Sequence, residues 1–161
     1  MEEGVESVAG LEERVLEQRV FVLIYDYVGA WNRHDAEELA GLYAEDALYE
    51  DLRLRVTLNG GGAIRGHLWG VFGSCADAVL ALGAEPLAAG DRAYFEWLMV
   101  GNGDGQTQEV RGVSVMLVED GRIVRQTNYS HVPAATGGAG AAFVEITTAV
   151  AATEDNIGWG E

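Results

Sequence analysis

From Leu11 onward the apolar positions keep a helical rhythm. Leu16, Val20, Leu23, Ile24, Tyr27, Val28 and Trp31 recur at i, i+4, i+7, i+8, i+11, i+12 and i+15, which predicts one long helix with a single apolar face. Asn32-Arg33-His34 closes it with polar groups suited to a helix C-terminus. Asp35 and Glu38 stand three residues apart, the spacing of a capping box, so a short second helix is expected. It carries Leu39, Leu42 and Tyr43 inward and ends near Glu45-Asp46. The period then drops to two between Ala47 and Leu58, where Leu54, Val56 and Leu58 alternate with Arg53, Arg55 and Thr57, the pattern of a strand entering a hairpin-like loop. Asn59-Gly60-Gly61-Gly62 interrupts it, and a third helix follows through Ile64, Leu68, Val71 and Phe72.

The remainder reads as strands separated by turns: Ala78–Leu82, Glu85–Ala89, Arg92–Val100, Glu109–Val118 and Ile123–Val132. Three helices followed by a meander of strands imply an α+β layer, a curved sheet folded over its helices. Residues 1–10 form an acidic leader, 11–133 the domain, and 134–161 a Gly/Ala-rich extension. Within that extension the stretch Phe143 to Ala152 suits a strand, a short helix or an arm laid on another subunit.

Composition narrows the chemistry. The chain has 161 residues, of which 48% are hydrophobic, enough for a single buried core. No run approaches the ~18–20 apolar residues of a membrane-spanning helix, and the acidic start is unlike a secretory signal, so a cytoplasmic location is expected. Ten basic residues face 26 acidic ones, for a net charge of −16, and all ten are arginines. Lacking lysine, the chain supports neither Schiff-base chemistry nor a P-loop. Its acidity opposes binding to nucleic acid or to an anionic membrane surface. Cys75 stands alone, which excludes an intrachain disulfide and a cysteine zinc site, and three scattered histidines make no metal site.

The order of elements, together with Trp31-Asn32-Arg33-His34-Asp35 and Leu42-Tyr43-Ala44-Glu45-Asp46-Ala47, resembles the start of the NTF2-like superfamily. The segment from Gly112 to Val124 resembles its penultimate hairpin. The resemblance covers about residues 15–133. It implies a cone: a strongly curved, mostly antiparallel sheet wrapped over about three N-terminal helices. Within the superfamily the spacing is most similar to ketosteroid isomerases and SnoaL-like polyketide cyclases. The run Leu42 to Asp51 matches the isomerase helix-to-strand junction without a gap, and Asp51 falls on the general base. Tyr27 falls on the tyrosine that donates to the oxyanion, Tyr43 on a second tyrosine of its network, and Tyr129 on a pocket aromatic. Ser114 stands where the isomerases carry a protonated aspartic acid, Leu68 where they carry a third tyrosine, and Leu52 where a proline follows the base. The arrangements of limonene epoxide hydrolases and scytalone dehydratases are absent.

If Gly112, Ser114 and Met116 share the cavity face of one strand, and Thr127, Tyr129 and His131 that of the next, then Tyr27, Asp51, Ser114, Tyr129 and His131 converge. Trp69, Phe72, Leu98 and Met116 supply an apolar wall, and His67 reaches the mouth. Burial disfavours a carboxylate's charge and makes it a better proton acceptor, while a neutral phenol stabilises an enolate. The expected function is therefore a cofactor-independent, metal-free acid/base isomerase, cyclase or dehydratase. Its partner is a small hydrophobic carbonyl compound, steroid-like or polyketide, and the expected assembly is a homodimer. Two alternatives stand beside this. Asp51 serves equally to brace its turn, and the whole domain serves equally as a non-catalytic binding or dimerisation module.

Overall fold

The structure, a computed structural model, describes residues 7–103 and 106–133. Most of the acidic leader and all of the extension from residue 134, with its stretch Phe143 to Ala152, lie outside the described residues. Helix α1 spans Val8–Asn32, α2 Ala36–Gly41 and α3 Gly61–Ser74. The strands are β1 Tyr43–Asp51, β2 Val56–Asn59, β3 Val79–Leu82, β4 Leu87–Ala89, β5 Arg92–Gly103, β6 Gln106–Glu119 and β7 Arg122–His131. The sheet runs β2-β1-β7-β6-β5-β3, with β4 on β5. Every pairing is antiparallel except β1 with β7. This is the expected α+β architecture.

Local chemistry sets the boundaries. Ser7 caps α1 by accepting from the Gly10 amide at 3.2 Å, so the helix starts three residues earlier than the apolar rhythm suggests. Asp35 caps α2 as its spacing predicts, accepting from the Glu38 amide at 2.9 Å. The reciprocal half of the capping box does not form, because the Glu38 carboxylate turns to Arg33. Helix α2 stops at Gly41, short of the expected end, because Tyr43 already pairs with Ile123 of β7. Tertiary pairing wins there over local helical spacing. Gly60 turns the chain into α3 at φ 88°, and a Cβ there would meet the Glu45 carbonyl oxygen at 3.2 Å.

The concave face of the sheet closes over α1 and α3. Ile24, Tyr27, Trp31, Ile64, Leu68 and Phe95 are among the residues of the core. Two irregularities decide which side chains reach this interior. In β6–β7 the register jumps from Leu117↔Arg125 to Val118↔Ile123, so β7 carries one extra residue. Ile123 is buried, and strict alternation from it would bring 127, 129 and 131 inside. The bulge reverses the parity, and Gln126 and Asn128 point inward instead. In β1 the register also shifts between Tyr43 and Leu48, and from Ala47 onward Ala47, Tyr49 and Asp51 are buried at alternate positions.

Candidate functional site

A cavity of about 80 Å³ lies between α1, α3 and the concave sheet. Tyr27 reaches it from α1, Tyr49 and Asp51 from β1, His67 from α3, Ser114 from β6 and Asn128 from β7. The Asp51 side chain is buried. Its Oδ1 accepts from the Leu54 amide at 2.9 Å, closing the turn between β1 and β2. Among the described residues that is the only hydrogen bond on the carboxylate, which leaves Oδ2 to the cavity.

Beneath the cavity floor runs a continuous chain of buried hydrogen bonds. Tyr43 Oη donates to Gln126 Oε1 at 2.7 Å, and Gln126 Nε2 donates to Tyr27 Oη at 3.2 Å and to Asn128 Oδ1 at 2.8 Å. Asn128 Nδ2 donates to Tyr49 Oη at 2.9 Å. Ser114 Oγ donates to Asn128 Oδ1 at 2.7 Å and accepts from Trp97 Nε1 at 2.9 Å. The two amides impose a direction on this chain. Tyr27 and Tyr49 each accept an N–H, so each keeps its own O–H proton. Tyr27 stands beside the Tyr43 hydroxyl, which makes Tyr49 the freer donor. The Ser114 proton is already committed to Asn128.

The electrostatics keep these phenols neutral. Burial raises the pKa of Tyr27, Tyr43 and Tyr49, and hydrogen bonds from Gln126 and Asn128 offset this only partly at Tyr27 and Tyr49. Partial burial lowers the pKa of His67, opposed by the charge of Asp51, so its imidazole is neutral at pH 7. The His67 ring lies 5.5 Å from that of Tyr49.

The sequence-predicted set divides accordingly. Tyr27, Asp51 and Ser114 line the cavity, Ser114 with its proton turned away from it. Tyr43 sits one hydrogen bond behind, and Met116 is a core residue that does not line the cavity. Phe72 packs instead against Trp31 and His34, at ring separations of 5.3 and 5.0 Å. Trp69 does not form a wall: it follows the inward Leu68 on α3 and is 58% exposed. Leu98 is buried but does not border the cavity; its β5 neighbours Trp97 and Met99 do. Tyr129 and His131 do not converge on Asp51, because the β7 bulge turns them to the outer face, with Tyr129 51% exposed.

Sequence reasoning missed Tyr49, Trp97, Gln126 and Asn128. Tyr49 was accessible to it, since strand alternation places residue 49 on the face of residue 51. Trp97 follows from pairing across Gly112, where a Cβ would come within 2.4 Å of the indole, but that register is visible only in three dimensions.

The chain's resemblances agree with this geometry. The family model of the SnoaL-like domain matches residues 24–126. A hypothetical protein of Catenulispora acidiphila DSM 44928 with a ketosteroid isomerase-like fold, solved in complex with trimethylamine, superposes with a TM-score of 0.63. The two are 19% identical over 66% of this chain and 83% of that one. A ketosteroid isomerase candidate from Kribbella flavida DSM 17836 gives 0.61 at 23% identity, over 76% and 83% of the two chains. A SnoaL-like polyketide cyclase candidate from Shewanella denitrificans OS-217 gives 0.61 at 16% identity, over 68% and 88%. At these identities the likeness concerns the fold. No curated protein matches the sequence.

Proposed function

The chain belongs to the SnoaL-like domain family of the NTF2-like superfamily, and from that premise we propose that it is a cofactor-independent acid/base enzyme. The reaction is an isomerisation, cyclisation or dehydration of a hydrophobic carbonyl compound, steroid-like or polyketide. One observation carries the reading: a buried carboxylate with a free oxygen and a phenol, Tyr49, with an uncommitted proton border the same cavity, and Tyr27 borders it as well.

In the proposed step, Asp51 Oδ2 removes a proton from the carbon next to the substrate carbonyl. The C–H electron pair forms a carbon–carbon double bond, and the carbonyl pair moves onto oxygen as an enolate. Tyr49 and Tyr27 donate to that oxygen, which strengthens as charge develops. The Asp51 carboxylic acid then returns the proton to another carbon of the conjugated system. In a cyclisation the enolate carbon instead attacks a second carbonyl carbon of the same molecule, the C=O π pair moves onto that oxygen, and Asp51 gives it the proton. Neutral His67 flanks Tyr49 at the cavity. Tyr49 takes the donor position that Ser114, with its proton spent, does not fill.

The test is proton exchange or isomerisation on a model enone. Asp51→Asn preserves the bond to Leu54 yet cannot accept the proton, and is expected to cost about 10²–10⁴-fold in rate. An unchanged rate sinks the catalytic reading. A second reading, a binding module without chemistry, draws on the same Leu54 bond, since bracing a turn explains Asp51 without catalysis. A cytoplasmic homodimer completes the proposal, supported by the exposed Val113 and Tyr129 on the outer sheet face.

A further inference from the structure

Two indoles border the cavity. Trp31 belongs to the buried core, whereas Trp97 is half-buried and also borders a groove of about 420 Å³ beyond the sheet, beside Gly112, Val113 and Tyr129. Trp97 is held at two points. Its Nε1 donates to Ser114 Oγ at 2.9 Å, and its six-membered ring lies against Gly112, where a Cβ would stand 2.4 Å from Cζ2. The position opposite Trp97 in the β5–β6 ladder must therefore be glycine for the indole to lie flat. The cavity that remains is about 80 Å³. A water's share of liquid is about 30 Å³, and an apolar cavity of about 150 Å³ takes one benzene. The inner site thus has room for the reacting carbonyl and its nearest carbons, part of one ring at most, and Trp97 is one of the walls against which any larger body must fit.

We propose that Trp97, seated on Gly112, sets the size of ligand this site accepts, restricting it to carbonyl compounds of one ring or a short chain. This deepens the acid/base reading and rests on it for the carbonyl, narrowing its substrate from a fused, steroid-like body to a smaller carbonyl compound; the size limit is a property of binding rather than of turnover. Removing the indole adds its volume to the inner cavity and admits larger molecules. The polar floor survives, because Ser114 still donates to Asn128 without Trp97.

The experiment measures equilibrium binding of a one-ring, a two-ring and a four-ring cyclic enone by calorimetry, with thermal shift as a second readout. The proteins are the unaltered chain, Trp97→Ala, Trp97→Phe and Asp51→Asn. The unaltered chain is expected to bind the one-ring enone at least tenfold more tightly than the four-ring one. Trp97→Ala is expected to reverse that order. Trp97→Phe, whose single ring is smaller than the indole and lacks its bond to Ser114, should narrow the preference for the one-ring enone, and serves if the alanine variant does not fold. Asp51→Asn should retain the size order even with catalysis abolished, so failure of the chemistry and failure of the size limit are read separately. Equal or tighter binding of the four-ring enone by the unaltered chain overturns the proposal. So does an unchanged order in Trp97→Ala, an unchanged preference in Trp97→Phe where the alanine variant does not fold, or no binding of any enone.

Discussion

The two faces of the β6–β7 ribbon carry similar polar residues and treat them oppositely. On the concave side Ser114, Gln126 and Asn128 are buried, and each is tied to two or more partners by directed hydrogen bonds. On the convex side Val113, Tyr129 and His131 face outward, and Tyr129 is about half exposed. A buried polar group must be satisfied, so the inner face is specified atom by atom, whereas water satisfies the outer one at no structural cost. The lesson is that burial, more than residue type, turns a polar side chain into part of a site. Tyr129 has the chemistry of a pocket aromatic and the wrong parity. Asn128 is a commonplace strand residue that holds the cavity floor together.

The contrast can be tested from both sides. The largest effect is expected at the base, where Asp51→Asn should lose about 10²–10⁴ in turnover of a model enone while His131→Gln changes it less than about twofold. Tyr49→Phe comes next, at about 10²–10³ in rate, because an oxyanion donor is removed. Ser114→Ala should cost far less, since its proton never reaches the ligand. Should Ser114→Ala equal Tyr49→Phe in steady-state kinetics, the assigned direction of the hydrogen-bond chain is wrong.

Stability should divide along the same line. Asn128→Leu strands the groups of Ser114, Gln126 and Tyr49, at about 1–3 kcal/mol each by denaturant unfolding, whereas Tyr129→Ser should stay within about 1 kcal/mol. A small effect at Asn128 would mean that water replaces the network.

The smallest effects are in pH. Tyr27, Tyr43 and Tyr49 have raised pKa values in the folded chain, so the stability they contribute is fully present below their ordinary value of about 10 and is lost as pH rises beyond it. Unfolding titrations should therefore steepen in alkali, and Tyr49→Phe should blunt that. His67 has a lowered pKa: the unfolded chain binds its proton first, so stability falls slightly as pH drops below about 6.5. His67→Gln should flatten that slope, an effect kept small because the ring is only about half buried.

Much of the fold was legible because its signals are local. The helical rhythm from Leu16 to Trp31 places Tyr27 inward, Asp35 caps α2, and glycines mark the turns. Tyr27 and Asp51 were singled out by their similarity to the isomerase spacing, and the helical rhythm of α1 accounts for Tyr27 facing inward. The failures are non-local. Helix α2 ends early because β7 recruits Tyr43, and the face of β7 is inverted by a bulge that no single-strand pattern reveals. Trp69 was misplaced by one position on α3, where an indole beside Leu68 looks like a wall but turns outward.

By itself the sequence determined the α+β class and the acidic and lysine-free character that excludes several chemistries, and it pointed to Asp51 and Tyr27, which line one cavity. Only the tertiary structure decided that Asn128 and Trp97 border the cavity and that Tyr129 and His131 do not. The reason is physical. Periodicity is carried along one chain segment, but which face of a strand is buried depends on its register with neighbours, and one extra residue in that register exchanges inside for outside.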